Sequence, residues 1–308
     1  MAGRSGVVVH EPVLARAVAR LAQGRERAVD ATVGGGGHTQ VLVAAGARVL
    51  AVDRDPAAVR AARERFDPAR VTVLEGRFAD PAVLSAITDF RPDLILLDLG
   101  ISSSQLDDRA RGFSFRPGTR LDMRMDPGAG RAAADVLNTY GERELTRVFA
   151  EQGDEPRARR LARVVVRRRQ RRPFETSDDL VNAIREALGP RTGPPDFARL
   201  FQAVRIEVNE ELLQLEQALP ALRSALVAGG ALAVISYHSG EDRLVKHAFA
   251  DWARACVCPP GQPVCTCRGR ALGVVATRRP IRPSPAEVAA NPRSRSARLR
   301  VFVASHAP

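Results

Sequence analysis

Val29-Asp30-Ala31-Thr32-Val33-Gly34-Gly35-Gly36-Gly37-His38 reads as an apolar strand that runs into four glycines and then into a helix. The strand is expected over residues 27–33 and the helix over 39–45. The same alternation repeats outward from this turn. Residues 49–53 (Val-Leu-Ala-Val-Asp) form a second buried strand ending in an acid, and residues 56–66 a helix with Pro56 in its first turn. A third strand over 71–74 precedes a helix over 81–89, and a fourth over 93–98 is apolar between two acids. Continuous apolar strands alternating with helices predict a parallel sheet covered on both faces. That is a doubly wound α/β domain.

Beyond Gly100 the strand signals stop. Residues 112–204 carry helical spacing, with Ala158, Leu161, Ala162 and Val165 recurring at i, i+3, i+4, i+7. Thr176-Ser177-Asp178-Asp179 supplies side-chain oxygens suited to cap another helix. Alternation then returns, with a helix over 207–226, a Gly229-Gly230 turn, a buried strand over 231–236 and further strand signals at 274–276 and 299–304. The economical organisation is one α/β domain in two parts, 1–111 and 205–308, with a helical domain inserted at 112–204.

The chain has 308 residues, about two domains' worth. With 45% hydrophobic and 27% charged residues it is globular, which excludes a disordered or collagen-like chain. Its longest nearly charge-free apolar stretch, 225–236, falls short of the roughly 20 residues a membrane span needs, and residues 1–10 show no signal-peptide pattern. A cytoplasmic protein with no membrane partner is expected. The net charge is +12, and Lys246 is the sole lysine. Nine arginines and no acid fall between Arg157 and Arg172; nine more, with Glu287 the one acid, fall between Arg268 and Arg300. Concentrated positive charge is the footprint of a polyanionic partner, nucleic acid first. A solvated helix face and a basic tail are the plainer alternative.

All four cysteines, Cys256, Cys258, Cys265 and Cys267, crowd into one short segment, which argues against a disulfide framework. Two C-x-C pairs can hold zinc through four thiolates, yet C-x2-4-C is the usual spacing. Reduced thiols with no metal are the expectation.

Glycines let a backbone approach a ligand in conformations that a Cβ forbids. The loop fails as a dinucleotide G-x-G-x-x-G, because Thr39 stands where the third glycine belongs. A nucleoside without pyrophosphate does not need that glycine. Asp53 closes strand two, where a carboxylate accepts hydrogen bonds from both ribose hydroxyls. Phe78 follows strand three, where its ring can cover an adenine, and Asp98 closes strand four at the crevice where open α/β sheets bind ligands. Each signal alone is also what a tight turn or a capping acid gives. Their order on consecutive strands points to a nucleoside cofactor.

More specific runs surround these acids. They are Leu97-Asp98-Leu99-Gly100-Ile101-Ser102-Ser103-Ser104-Gln105-Leu106-Asp107-Asp108, Arg111-Gly112-Phe113-Ser114-Phe115 and Leu121-Asp122-Met123-Arg124-Met125-Asp126. Gln202-Ala203-Val204-Arg205-Ile206-Glu207-Val208-Asn209-Glu210-Glu211-Leu212, Ile235-Ser236-Tyr237-His238-Ser239-Gly240-Glu241-Asp242-Arg243 and the 291–300 segment extend the pattern. From about His10 onward the chain resembles the bacterial S-adenosylmethionine-dependent 16S ribosomal RNA (cytosine-N4)-methyltransferases of the MraW type. The resemblance implies a Rossmann-like class I methyltransferase sheet with an inserted α-helical domain. It implies S-adenosylmethionine as cofactor, bound by Gly36, Gly37, His38, Asp53, Phe78, Asp98 and Gln105. It also implies 16S rRNA, within the small ribosomal subunit, as partner, and a cytosine of the decoding region as target. Ser104 stands where the family commonly has proline, and Gly240 where it commonly has leucine, which puts the geometry of the 237–243 turn in question.

A cytosine amino group is a poor nucleophile, because its lone pair is delocalised into the ring. Methylating it needs an acceptor for an amino hydrogen and in-line placement. Asp98 and His238 are the candidate catalytic residues; a capping histidine would look the same as His238. C5 methylation would instead need a cysteine thiolate attacking the ring, and the cysteines lie beyond the last well-marked strand and its helix. Phe113 and Phe115, between Arg111 and Arg116, can stack on a flipped base and hold its phosphates, or can simply pack. Arg167, Arg168, Arg169, Arg293 and Arg295 are the expected RNA contacts in the two basic patches. Met123 and Met125 read as packing residues. Two other classes fit parts of the pattern, a nicotinamide oxidoreductase and a non-enzymatic RNA-binding protein with a zinc knuckle. The first lacks its third glycine, and the second leaves the strand-end acids without a role.

Overall fold

The structure is a computed structural model and describes residues 12–259, 261–264 and 266–305. The chain divides into two compact units, Met1–Gly100 with Gln214–Pro308, and Ile101–Leu213. The strands of the first unit are β1 (Arg27–Asp30), β2 (Arg48–Asp53), β3 (Val71–Glu75), β4 (Leu94–Asp98), β5 (Ala231–Ser236), β6 (Gly273–Val275) and β7 (Arg298–Ala304). Helices follow in the order α1 (Ala15–Ala22), α2 (Gly37–Ala44), α3 (Pro56–Arg65), α4 (Pro81–Phe90), α5 (Ser103–Asp107), α6 (Ala133–Thr139) and α7 (Glu142–Arg147). The remainder are α8 (Ala158–Arg169), α9 (Ser177–Leu188), α10 (Pro194–Asn209), α11 (Glu211–Ala225), α12 (Ser239–Trp252) and α13 (Pro285–Ala290).

The sheet order is β3-β2-β1-β4-β5-β7-β6. The strands from β3 to β5 run parallel, with Asp30 opposite Ala51 on β2 and Leu96 on β4. Strand β7 pairs antiparallel with both β5 and β6, so the sheet is mixed rather than wholly parallel. The alternation of side chains along a strand accounts for the unbroken apolar runs. Val29, Leu50, Val52, Ile95, Leu97, Leu232 and Val234 point to a core shared with α4, α11 and α12. Their neighbours Ala28, Val49, Ala51, Leu94, Leu96, Ala233 and Ile235 point to the opposite core, with α1, α2 and α3.

Most expected elements shift by a residue or two at an end, and two depart further. The 27–33 strand ends at Asp30, although Ala31 and Val33 still donate their N–H groups to Leu96 and Val52 at 2.9 and 3.0 Å. The single helix expected over 207–226 breaks at Glu210, which takes a left-handed conformation (φ 52) between α10 and α11.

The second unit is helical, and its compact span of Ile101–Leu213 is wider than the expected 112–204. Side-chain anchoring explains the extra length at one end. Buried Asn209 donates from Nδ2 to the Met123 carbonyl (2.7 Å) and accepts the Met125 N–H (2.8 Å). Phe149, Leu161, Val165, Phe174, Leu180, Ile184, Leu200 and Val204 form the centre of this unit. Gly112 is required where the chain crosses itself. Its φ is 77, and a Cβ there would lie 2.5 Å from the Arg120 carbonyl oxygen and 2.7 Å from the Asp122 nitrogen.

Candidate cofactor and catalytic site

Strand order reverses between β1 and β4, because β1 leads outward to β2 on one side while β4 continues to β5 on the other. Such a reversal is where the loops of open α/β sheets diverge, the usual ligand position in these folds. Gly36 caps α2 in the left-handed region (φ 75), and a Cβ at this position would stand 2.9 Å from the Phe66 ring. The turn is thereby closed against the protein on one side, where Arg65 also donates to the Gly35 carbonyl at 2.7 Å.

Asp53 ends β2 and supports this turn directly. Its Oδ2 accepts the Gly34 N–H at 2.7 Å and its Oδ1 accepts the Asp55 N–H at 2.9 Å. Burial pushes its pKa up to about 6, against the pull of those two N–H groups. An ionised carboxylate has roughly four lone-pair sites, so both oxygens retain capacity for two ribose hydroxyls. Phe78 follows β3, half-buried against the core that α4 covers.

Asp98 ends β4 as the centre of a polar cluster. Its N–H donates to the Thr32 hydroxyl (2.7 Å), and its Oδ1 accepts the Tyr237 hydroxyl (2.8 Å). The His38 Nε2 lies 3.4 Å from Asp98 Oδ2. That is ion-pair reach without hydrogen-bond alignment, and among the described residues neither ring nitrogen of His38 has a hydrogen-bond partner. Burial works against the imidazolium, but the Asp98 carboxylate and the charge on Asp30 outweigh it, so the His38 pKa is raised. Asp30 itself is fully buried and accepts the Thr39 hydroxyl at 2.6 Å. Burial raises its pKa despite the opposing charge of His38. Burial and the adjacent Asp98 charge likewise raise the Tyr237 pKa, keeping the phenol protonated and donating.

His238 sits differently. It is the N-cap of α12, its Nδ1 accepts the Glu241 N–H (3.4 Å), and its Nε2 faces Glu241 Oε1 at 3.2 Å. Glu241 in return accepts the Tyr237 and His238 N–H groups at 2.8 and 3.3 Å. Its Nδ1 thus serves the first turn of its own helix, while its buried Nε2 has no hydrogen-bond partner among the described residues. Gln105 is also in a capping box, where it accepts the Ser102 N–H (3.1 Å) in the helical unit.

The expected RNA contacts divide between packed and exposed groups. Arg111 donates to the Arg124 and Met125 carbonyls (3.2 and 2.6 Å), which braces the loop around Gly112. Phe113 is buried in the helical core, and Phe115 packs at 6.0 Å from the rings of Phe197 and Phe201. Phe113 therefore offers no open stacking face, whereas Phe115 is half-buried at the edge of the helical core. Arg116 is exposed. Arg167 and Arg168 both reach Glu186, and they line a groove of about 290 Å³ with Arg171 and Arg172. Arg169 instead donates to the Leu137 and Tyr140 carbonyls (2.9 and 2.6 Å) at the end of α6. Arg293 and Arg295 are exposed on a single 3-10 turn, whereas Arg298 and Arg300 turn to Asp242 at 2.9 and 2.7 Å. Cys265, one of the four cysteines, lies outside the described residues, as does His10.

Sequence reasoning missed Asp30, Thr32, Tyr237 and Glu241. An acid inside an apolar central strand was a visible signal for Asp30. Nothing in the spacing links Tyr237 to Asp98, since 139 positions separate them.

The family model described as the MraW methylase family matches residues 7–305. The chain is 55% identical to the ribosomal RNA small subunit methyltransferase H of Gemmatimonas aurantiaca, with 97% of this chain and 96% of that protein covered. It is 48% identical to the protein of the same name from Thermomicrobium roseum, covering 94% of this chain and 92% of the relative. The corresponding protein of Rubrobacter xylanophilus is 49% identical, with 95% of each chain covered.

Proposed function

The chain belongs to the MraW methylase family, and from that premise we infer that it methylates small-subunit ribosomal RNA, using S-adenosylmethionine and the N4 amino group of a cytosine. The target lies in the decoding region of 16S rRNA, reached within the small subunit in the cytoplasm. Among the described residues no helix is long and apolar enough to cross a membrane. The observation that carries the reading is the placement of Asp53, the glycine turn and Asp98 along one end of the sheet, on consecutive strands around the point of order reversal.

The chemistry of these donors suits the cofactor. A sulfonium nucleoside presents two ribose hydroxyls, an adenine and an amino acid end, and its methyl is the electrophile it supplies when bound. Asp53 would accept from the ribose, Phe78 would flank the adenine, and the 34–38 turn would receive the methionine end. The two unpartnered nitrogens of buried His38 are the orphaned polar groups such a ligand would satisfy. Asp98 has a partly exposed carboxylate held by Tyr237, while both His238 nitrogens face Glu241. Asp98 is therefore the better-placed acceptor for an amino proton, with the Tyr237 hydroxyl fixing its orientation. The described cysteines follow α12 rather than ending β1, β2 or β4, so a thiolate route to C5 has no support.

Single-turnover methylation of small subunits at saturating cofactor tests the assignment. Asp98→Asn should lower the rate by ~10²–10⁴-fold, the usual worth of a proton acceptor. His238→Ala should stay within about tenfold of wild type, consistent with lost capping alone. The reverse pattern would return the acceptor role to His238.

A further inference from the structure

Among its described residues, the segment between α12 and β6 packs on the sheet core through Ala253 and Leu272, at its two ends. None of the described residues between them, from 254 to 271, is buried, and Val264 is 69% exposed. The two ends are also held together. The Leu272 N–H donates to the Trp252 carbonyl (2.8 Å), and Arg268 donates to the carbonyls of Asp251 and Arg254. Within the stretch they enclose, the Sγ atoms of Cys256, Cys258 and Cys267 all lie within 4.8 Å of one another.

The geometry of that cluster is informative. Cys256 and Cys267 have their sulfurs 3.9 Å apart, far beyond the ~2.05 Å of a disulfide. A tetrahedral zinc site with Zn–S bonds of about 2.3 Å has sulfur–sulfur edges of about 3.8 Å. The Val257 N–H also donates to Cys267 Sγ at 3.3 Å, the backbone support that metal-bound thiolates commonly receive. Short segments without a core are the setting in which a structural metal contributes folding energy.

We propose that Cys256, Cys258 and Cys267 form a structural zinc site that staples the 254–271 segment between α12 and β6. On binding, each of the three thiols gives up its proton and forms one bond to the divalent ion. A fourth, oxygen, nitrogen or sulfur ligand completes the tetrahedron. The three thiolates and the ion together carry one negative charge, which Arg254, Arg268 and Arg270 surround in sequence. This reading replaces the expectation of metal-free thiols, which rested on an unusual C-x-C spacing: spacing along the chain matters less here than the return of Cys267 to the start of the loop.

The test uses the full chain purified without chelator from zinc-supplemented medium. Elemental mass spectrometry should find about one zinc per chain, and Cys256→Ser with Cys267→Ser should lower that at least about tenfold while cofactor binding and circular dichroism persist. Cobalt replacement should give sulfur-to-metal charge-transfer absorption in wild type and not in the double variant. If the double variant does not fold, Cys258→Ser is read by the same metal content and cobalt spectra. Wild-type zinc below about a tenth of an equivalent, unchanged zinc in the variants, iron with visible absorption, or a Cys256–Cys267 disulfide by mass would each overturn the site.

Discussion

At the residue scale, Asp53 carries two requirements that oppose each other. Burial raises its pKa from the usual 3.8 to about 6. The folded protein therefore holds that proton more tightly than the unfolded chain does. Asp53 costs no stability below its unfolded pKa, and that cost grows as pH rises through the window between 3.8 and about 6. Ribose recognition needs the ionised form, so cofactor affinity should fall in the opposite direction. Calorimetry should find S-adenosylmethionine bound roughly tenfold more weakly at pH 5 than at pH 7.5, with the dependence lost in Asp53→Asn. Replacing Asp53 by Ala should weaken binding by about 1.5–3 kcal/mol, the range for hydrogen bonds to a charged group. Unchanged affinity would remove Asp53 from the ribose. Buried Asn209 poses a simpler case: Asn209→Ala leaves the Met123 carbonyl and Met125 N–H without their partner. Urea denaturation should register a loss of about 1–3 kcal/mol for each orphaned group.

At the element scale, the arginine-rich helix α8 has two kinds of side chain. Its apolar stripe, Leu161, Ala162 and Val165, is buried in the helical core, as the i, i+3, i+4, i+7 spacing requires. Of the three arginines at its end, Arg169 closes α6 through two carbonyls, while Arg167 and Arg168 share Glu186 beside the basic groove. These roles separate in experiment. Neutralising Arg167 and Arg168 should weaken RNA binding across sequences and flatten its salt dependence by up to about two units of log–log slope. Arg169→Ala should act on stability, by ~1 kcal/mol, with little change in that slope. An undiminished slope in the first variant would make the helix end a solvated face. The crossing at Gly112 belongs to the same scale. A Cβ meets backbone rather than a movable side chain there, so Gly112→Ala should destabilise the helical unit by more than about 1 kcal/mol in thermal or urea unfolding.

At the scale of the whole molecule, a sheet unit that ends its central strands in acids and a helical unit rich in arginine belong to one chain with a net charge of +12. Mass spectrometry of 16S rRNA nucleosides from a strain lacking the protein should show N4-methylated cytidine lost and restored by complementation. Retention of the modified nucleoside would refute the assigned product. Complementation with Asp98→Asn should fail where His238→Ala succeeds, which carries the residue-scale assignment into the cell.

The amino-acid sequence by itself determined the α/β alternation, the interruption by a helical segment, and the strand-end positions of Asp53 and Asp98. All of these follow from local rules: period, glycine turns and the apolar character of strands covered on both faces. Only the tertiary structure decided which polar groups are engaged. His238 stood out in the sequence as a strand-end base, and the fold shows its Nδ1 accepting the first-turn N–H of Glu241 in α12. Arg111 and Arg169 read as phosphate ligands, yet they satisfy backbone carbonyls. Phe113 read as a stacking lid, yet it is buried in the helical core. Tyr237 lay in a marked run but carried no signal linking it to Asp98, whose carboxylate its hydroxyl holds. A side chain's partner is set by distances between elements far apart in the chain, and no local periodicity encodes those.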